Sequence, residues 1–151
     1  MASGQHYESE EAFVNSFCSL LNSGGSPWGN LRYAREFNYI RGKTDLVALR
    51  NNTEVLAFEF KLVKWRVALV QAYRNTCFSH YSYMVLPEKV AFRALSHDVD
   101  LNLRAVGVCS IQDGKIKVLH RACRTDPIQP RLSSRAIETA GGGSLHESPE
   151  P

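Results

Sequence analysis

The sequence predicts an α/β domain, and three observations carry that prediction. Two apolar, β-favouring runs, residues 42–49 and 54–62, flank an Asn51-Asn52 turn. Residues 64–80 contain neither Gly nor Pro and are long enough for about four helical turns. Asp113-Gly114 separates two further strand-like runs, and Asp-Gly in that setting is a strong hairpin signal.

The first element is an amphipathic helix over residues 9–21. Phe13, Phe17, Leu20 and Leu21 form its packing face, and Ser9 is the N-cap. Glu8, Glu10 and Glu11 crowd its start, where carboxylates complement the positive end of the helix dipole. The next element is the Asn-Asn hairpin, because asparagine tolerates the positive φ that such a turn needs. A two-residue turn sets Asp45 opposite Phe58 and a three-residue turn sets it opposite Glu59, so either register brings Asp45 close to Glu59.

Alternation along the second strand puts Glu59 and Lys61 on one face and Phe58 and Phe60 on the other. The helix over 64–80 carries Lys64, Ala68, Gln71 and Asn75 as one stripe. A strand over 81–86 stops at Pro87, and the runs 104–111 and 115–120 form the closing hairpin.

Two carboxylates among Leu, Val, Ala and Phe are unfavourable unless a proton or a cation compensates them. Mg²⁺ suits such a pair, since it takes oxygen ligands and is held by one or two carboxylates plus substrate phosphate. It would polarise a phosphodiester and acidify a bound water, while Lys61 orients that water or stabilises developing negative charge. The plainer reading is that Asp45 caps a strand and that Glu59 and Lys61 are neighbours on a solvated face.

Asp45, thirteen intervening residues, and Glu59-Phe60-Lys61 resemble the PD-(D/E)xK motif of the restriction-endonuclease-like nucleases. Thr44 stands where the customary proline would be. The resemblance covers residues 8–123 and implies an α-β-β-β-α-β core, a mixed central sheet flanked by helices, with a C-terminal hairpin added. It also implies a catalytic set of Asp45, Glu59, Lys61 and Gln71, the last being the helix glutamine that faces the site in many of these enzymes. The implied metal residues are Asp45, Glu59, Phe60 and Glu11, with Glu8 and Glu10 competing for the last place. The implied cofactor is Mg²⁺, with Mn²⁺ substituting, and the implied reaction is phosphodiester hydrolysis.

Lys43, Lys64, Arg66 and Arg74, with Arg41, lie near this motif in sequence and are the candidate phosphate contacts. DNA is the expected partner ahead of RNA, with a homodimer or a partner protein supplying specificity. Trp65 and Tyr73 are candidates for base stacking or for ordinary packing. The alternative from another class is a catalytically silent protein of the same fold that binds nucleic acid or a protein.

The chain of 151 residues has a formal charge of +3 and a pI near 8.7. Those values allow an anionic partner without demanding one. The expected organisation is one nuclease-like domain over 1–124 and a mobile or disordered tail over 125–151, where Pro, Ser and Gly accumulate. No apolar stretch is long enough for a bilayer and no signal-peptide pattern opens the chain, so a cytoplasmic location is expected, with no membrane partner. Cys18, Cys77, Cys109 and Cys123 are widely spaced in apolar surroundings and read as free, mostly buried thiols.

Overall fold

A computed structural model describes residues 6–40 and 42–143. Arg41 and the last part of the expected tail, 144–151, lie outside them. Six strands form one mixed sheet in the order of the chain. They are β1 (Arg32–Tyr39), β2 (Gly42–Arg50), β3 (Glu54–Phe60), β4 (Tyr81–Val85), β5 (Val106–Gln112) and β6 (Lys115–His120). The β1–β2, β2–β3 and β5–β6 pairs are antiparallel, while β3–β4 and β4–β5 are parallel. Parallel neighbours need crossovers, and helices supply both. These are α2 (Trp65–Asn75) after β3, then α3 (Glu88–Leu95) with α4 (Asp98–Leu103) after β4.

The helices cover both faces, which makes an α/β fold of three layers. On one face lies α1 (Glu10–Ser23), where Phe13, Phe17 and Leu21 pack on Leu46, Phe58 and Phe60. Ser9 caps α1 by accepting a hydrogen bond from Ala12 N–H at 3.0 Å. The opposite face holds two clusters. Trp65, Ala68 and Leu69 of α2 meet Met84, Val106 and Val108, and α5 (Pro130–Gly143) sets Leu132, Ala136 and Ala140 on Val47, Leu49, Val55 and Ala57.

Helix α5 corrects the expectation of a mobile tail from residue 125. Leu132, Ala136 and Ala140 recur every four residues and give the segment a buried stripe. The packed domain therefore does not end at residue 124.

The Asn-Asn hairpin forms with the longer of the two anticipated turns. Asn51 and Asn52 take φ of 55° and 63°, and Arg50 pairs with Glu54 and Leu46 with Phe58. Continued by one residue, that register sets Asp45 opposite Glu59. The helix expected over 64–80 ends earlier, at Asn75. Thr76 Oγ1 donates to Tyr73 O at 2.7 Å and Ser79 Oγ to Asn75 O at 2.8 Å, which satisfies carbonyls that a longer helix would have used.

None of the four cysteines is in a disulfide, as expected; Cys18 and Cys109 are buried, Cys77 is intermediate and Cys123 is exposed. No described helix is long and apolar enough to cross a membrane.

Candidate active site

The face on which each residue lies is set by a switch in β1 and β2. Tyr33 joins the α1 cluster and Arg35 donates to Asn15 of α1 at 2.6 Å, whereas Phe37 and Tyr39 join the α5 cluster. In β2, Leu46 faces α1 while the Thr44 hydroxyl reaches α2. Arg35 pairs with Leu46 and Phe37 with Thr44, so the switch falls at the intervening residues, Glu36 and Asp45. Glu36 has φ of 62°, a left-handed conformation that costs a non-glycine residue about 1–3 kcal/mol. Strict alternation fails there, and a cleft of about 280 Å³ opens beside Asp45, lined also by Glu10, Glu11, Val14, Arg35 and Glu36.

Asp45 is held from behind, since its Oδ2 accepts the Phe60 N–H at 2.9 Å. Phe60 thus contributes its main chain to this pair while its ring sits in the α1 core, edge-on to Phe13 and Phe17. Glu59 is buried, 1% exposed, on the opposite face, in line with Val55 and Ala57. Its Oε2 accepts from Asn75 Nδ2 at 2.8 Å. Asn75 Oδ1 in turn accepts from the hydroxyls of Thr44 at 2.8 Å and Tyr39 at 3.2 Å, and Arg74 Nε donates to Tyr39 Oη at 3.2 Å.

This network leaves Glu59 with a raised pKa of about 8. Burial is the largest cause and the negative charge of Asp45 the next. A hydrogen bond with Asp45 also favours the protonated form, while the Asn75 amide and the Arg74 charge act in the other direction. Two carboxyl groups that repel each other's ionisation are what a divalent cation relieves.

Lys61 lies past the end of β3, so alternation no longer governs it. Rather than sharing the face of Glu59, its Nζ reaches toward α1 and stands 3.6 Å from Glu10 Oε2. Glu10 and Glu11 both line the Asp45 cleft, and the one that meets Lys61 is Glu10. Gln71 sits one turn before Asn75 on α2, with its Oε1 buried and without a hydrogen-bond partner. The helix side chain that reaches Glu59 is therefore Asn75, a residue of the same stripe. Its signal in the sequence is a second amide four residues after Gln71.

The candidate phosphate contacts do not form one patch. Lys64 is the N-cap of α2, Arg66 stands in its first turn and Arg74 in its last, about 12–15 Å away along the helix. Arg66 stacks 4.4 Å from the Trp65 ring centroid, and Trp65 is itself buried in the α2 cluster. Arg74 is engaged with Tyr39, and Gly42 leaves room for it, since a Cβ there would come within 3.0 Å of Arg74 Nη2. Lys43 is exposed on β2. Tyr73 is exposed and lies beneath the Arg104 guanidinium.

Among the described residues no group of three or more His, Cys, Asp or Glu side chains is arranged to hold a metal ion. The donor set is two carboxyls, Asp45 and Glu59, and two suffice for Mg²⁺, which keeps waters and takes substrate oxygens for the rest. By that measure the residues fit this ion.

No protein-family model matches the chain, and no curated protein matches it. A solved structure described as the SPO1766 protein of unknown function from Silicibacter pomeroyi is similar in fold, with a TM-score of 0.65. The match covers 95% of this chain and 90% of that one at 11% sequence identity. At that identity the likeness concerns the fold.

Proposed function

We propose that this chain is a metal-dependent nuclease of the PD-(D/E)xK type, hydrolysing phosphodiester bonds in DNA ahead of RNA. The observation that carries the reading is the pairing of Asp45 with a buried Glu59 whose ionisation Asp45 opposes. Burying a carboxyl on an otherwise apolar strand face destabilises the fold, and a cation site gives a reason for it. The element order α1-β1-β2-β3-α2-β4 is the order that the resemblance implies, and it supports the same reading.

In this reading Asp45 and Glu59 hold Mg²⁺, for which Mn²⁺ substitutes. When bound, the ion supplies charge neutralisation at the phosphodiester and a more acidic water. The Phe60 N–H orients Asp45, and Asn75 orients Glu59. Lys61, steered by Glu10, offers its ammonium to negative charge developing on the phosphate. Glu36 and Arg35 border the cleft where the backbone of a substrate would enter. A cytoplasmic location and a homodimer or partner that supplies specificity complete the proposal.

The test is incubation of the wild type and of the Asp45→Ala and Lys61→Ala variants with linear, supercoiled, branched and single-stranded DNA and with RNA, in Mg²⁺, Mn²⁺ or EDTA. Metal-dependent cleavage that falls by about a hundredfold or more in both variants is the expected result. A folded wild type that cuts none of them counts against the enzyme. A second reading, a silent protein of this fold, is favoured by one observation: the buried Glu59 carboxyl already has Asn75 as its hydrogen-bond partner, and burial favours its protonated form. Mg²⁺ and Mn²⁺ that leave the melting temperature unchanged would favour that reading.

A further inference from the structure

A groove of about 870 Å³ opens between the end of β1 and the start of α5. Tyr39 and Ile40 form one wall, and Pro130, Arg131, Leu132 and Arg135 the other. The helix start is tied to this end of β1, because Arg135 Nη2 donates to Asn38 O at 3.1 Å and the Arg135 guanidinium lies 5.6 Å from the Phe37 ring centroid. Along β2, Asp45 comes three residues after Gly42, about 10 Å from the β1–β2 turn. The groove on the α5 side and the acidic cleft on the α1 side therefore flank the same hairpin.

No Asp or Glu among the described residues lines the groove. Arg131 and Arg135, about one helical turn apart, are exposed and take part in none of the ion pairs among the described residues. Arg74 likewise has no carboxylate partner among them, and its Nε donates to the hydroxyl of Tyr39 at 3.2 Å. The other face of the hairpin carries a cation too. Gly42 lies beside Arg74 and the Thr44 hydroxyl reaches Asn75 of α2, so alternation turns the exposed Lys43 to the α1 side. Ile40, in the turn, is fully exposed, and β1 is an edge strand, so no further strand covers the hairpin.

A solvated surface accounts for scattered arginines. It gives no reason for an apolar side chain at the tip of a two-stranded ribbon that has cations on both faces. The major groove of B-DNA is about 12 Å wide, admits a two-stranded ribbon, and offers thymine methyl groups to apolar contact. A phosphate backbone borders it on each side, which matches cations on each face of the hairpin. An acidic protein would answer Arg131 and Arg135 but would leave Lys43 on the far face without a role.

We propose that the β1–β2 hairpin enters the major groove of duplex DNA, with Arg131 and Arg135 against one backbone, Lys43 against the other and Ile40 at the base edges. This docking rests on the nuclease reading for its ligand and names the substrate as a duplex.

The experiment is fluorescence anisotropy of a short labelled DNA duplex with the full chain in EDTA, where metal-dependent cleavage is silent, repeated over a range of KCl. Expected is saturable binding, weakened about tenfold or more in Arg131→Glu and in Arg131→Ala/Arg135→Ala. The slope of affinity against salt should fall by about two in the double variant. Arg131→Glu removes no hydrogen bond or ion pair among the described residues, so its melting temperature should match that of the wild type. The proposal is overturned if the duplex does not bind saturably, if Arg131→Glu binds it as the wild type does, or if the single strand binds as tightly as the duplex. Displacement of the duplex by poly-glutamate at equal charge concentration overturns it as well, in favour of an acidic protein. Metal-dependent cleavage by a chain whose binding ignores Arg131→Glu removes this site and leaves the nuclease standing. Duplex binding that needs the arginines, in a chain that cuts nothing with Mg²⁺ or Mn²⁺, upholds the site and removes the nuclease.

Discussion

On one face of β3, Phe58 and Phe60 meet Phe13, Phe17 and Trp28. On the other, Glu59 ends a row begun by Val55 and Ala57, and its partner is Asn75. Both faces are buried, yet they are held by different physics. The aromatic face asks only for volume and shape, and each ring contributes through the area it removes from water. The Glu59 face needs a proton and named partners from β1, β2 and α2, because an unsatisfied carboxyl there costs more than any one hydrogen bond returns. A fold could use a hydrophobic residue at position 59. Under the proposed function, the carboxyl at this position is where stability is exchanged for chemistry.

Phe60→Ala should give the largest loss on the aromatic face, about 3–5 kcal/mol, because a fully buried ring leaves a cavity. Chemical denaturation at fixed pH and metal concentration measures it. A loss below about 1 kcal/mol would show that α1 is not anchored through this ring.

On the polar face, Asn75→Ala should cost about 2–4 kcal/mol, since it strips partners from Glu59, Thr44 and Tyr39 together. Gln71→Ala should cost clearly less, because no described partner meets its buried Oε1. Equal losses in the two variants would erase the distinction drawn between them.

The pH dependence separates the faces further. From about pH 4.5 to about 8 the unfolded chain has released the Glu59 proton and the folded chain still holds it. The folded state then binds more protons, so stability falls as pH rises through that window and levels off above it. The slope from this one group approaches about 1.4 kcal/mol per pH unit. Glu59→Gln, which keeps an acceptor for Asn75 and cannot ionise, should flatten that slope in melts across the range. Phe60→Ala should leave it unchanged.

Much of this was legible in the sequence, and the failures have physical causes. The hairpin could be read because Asn51-Asn52 states its turn, whose register sets Asp45 opposite Glu59, while alternation states the faces of Phe58, Glu59 and Phe60. The left-handed Glu36 could not, since glutamate carries no signal for positive φ; with it went β1, whose apolar residues change faces at that point. The choice between Gln71 and Asn75 depended on how α2 crosses the sheet, which a helical stripe does not encode. Helix α5 was hidden by its Pro, Ser and Gly content, although Leu132, Ala136 and Ala140 at four-residue spacing were its trace.

The most direct measurement is calorimetric titration of Mg²⁺ or Mn²⁺ into the wild type at neutral pH in buffers of different ionisation enthalpy. If Asp45 and Glu59 form a cation site, binding should release about one proton per ion, the one held by Glu59, and Glu59→Gln should abolish that release. Binding without proton release, or no binding to the folded chain, would contradict a shared carboxylate site for the metal.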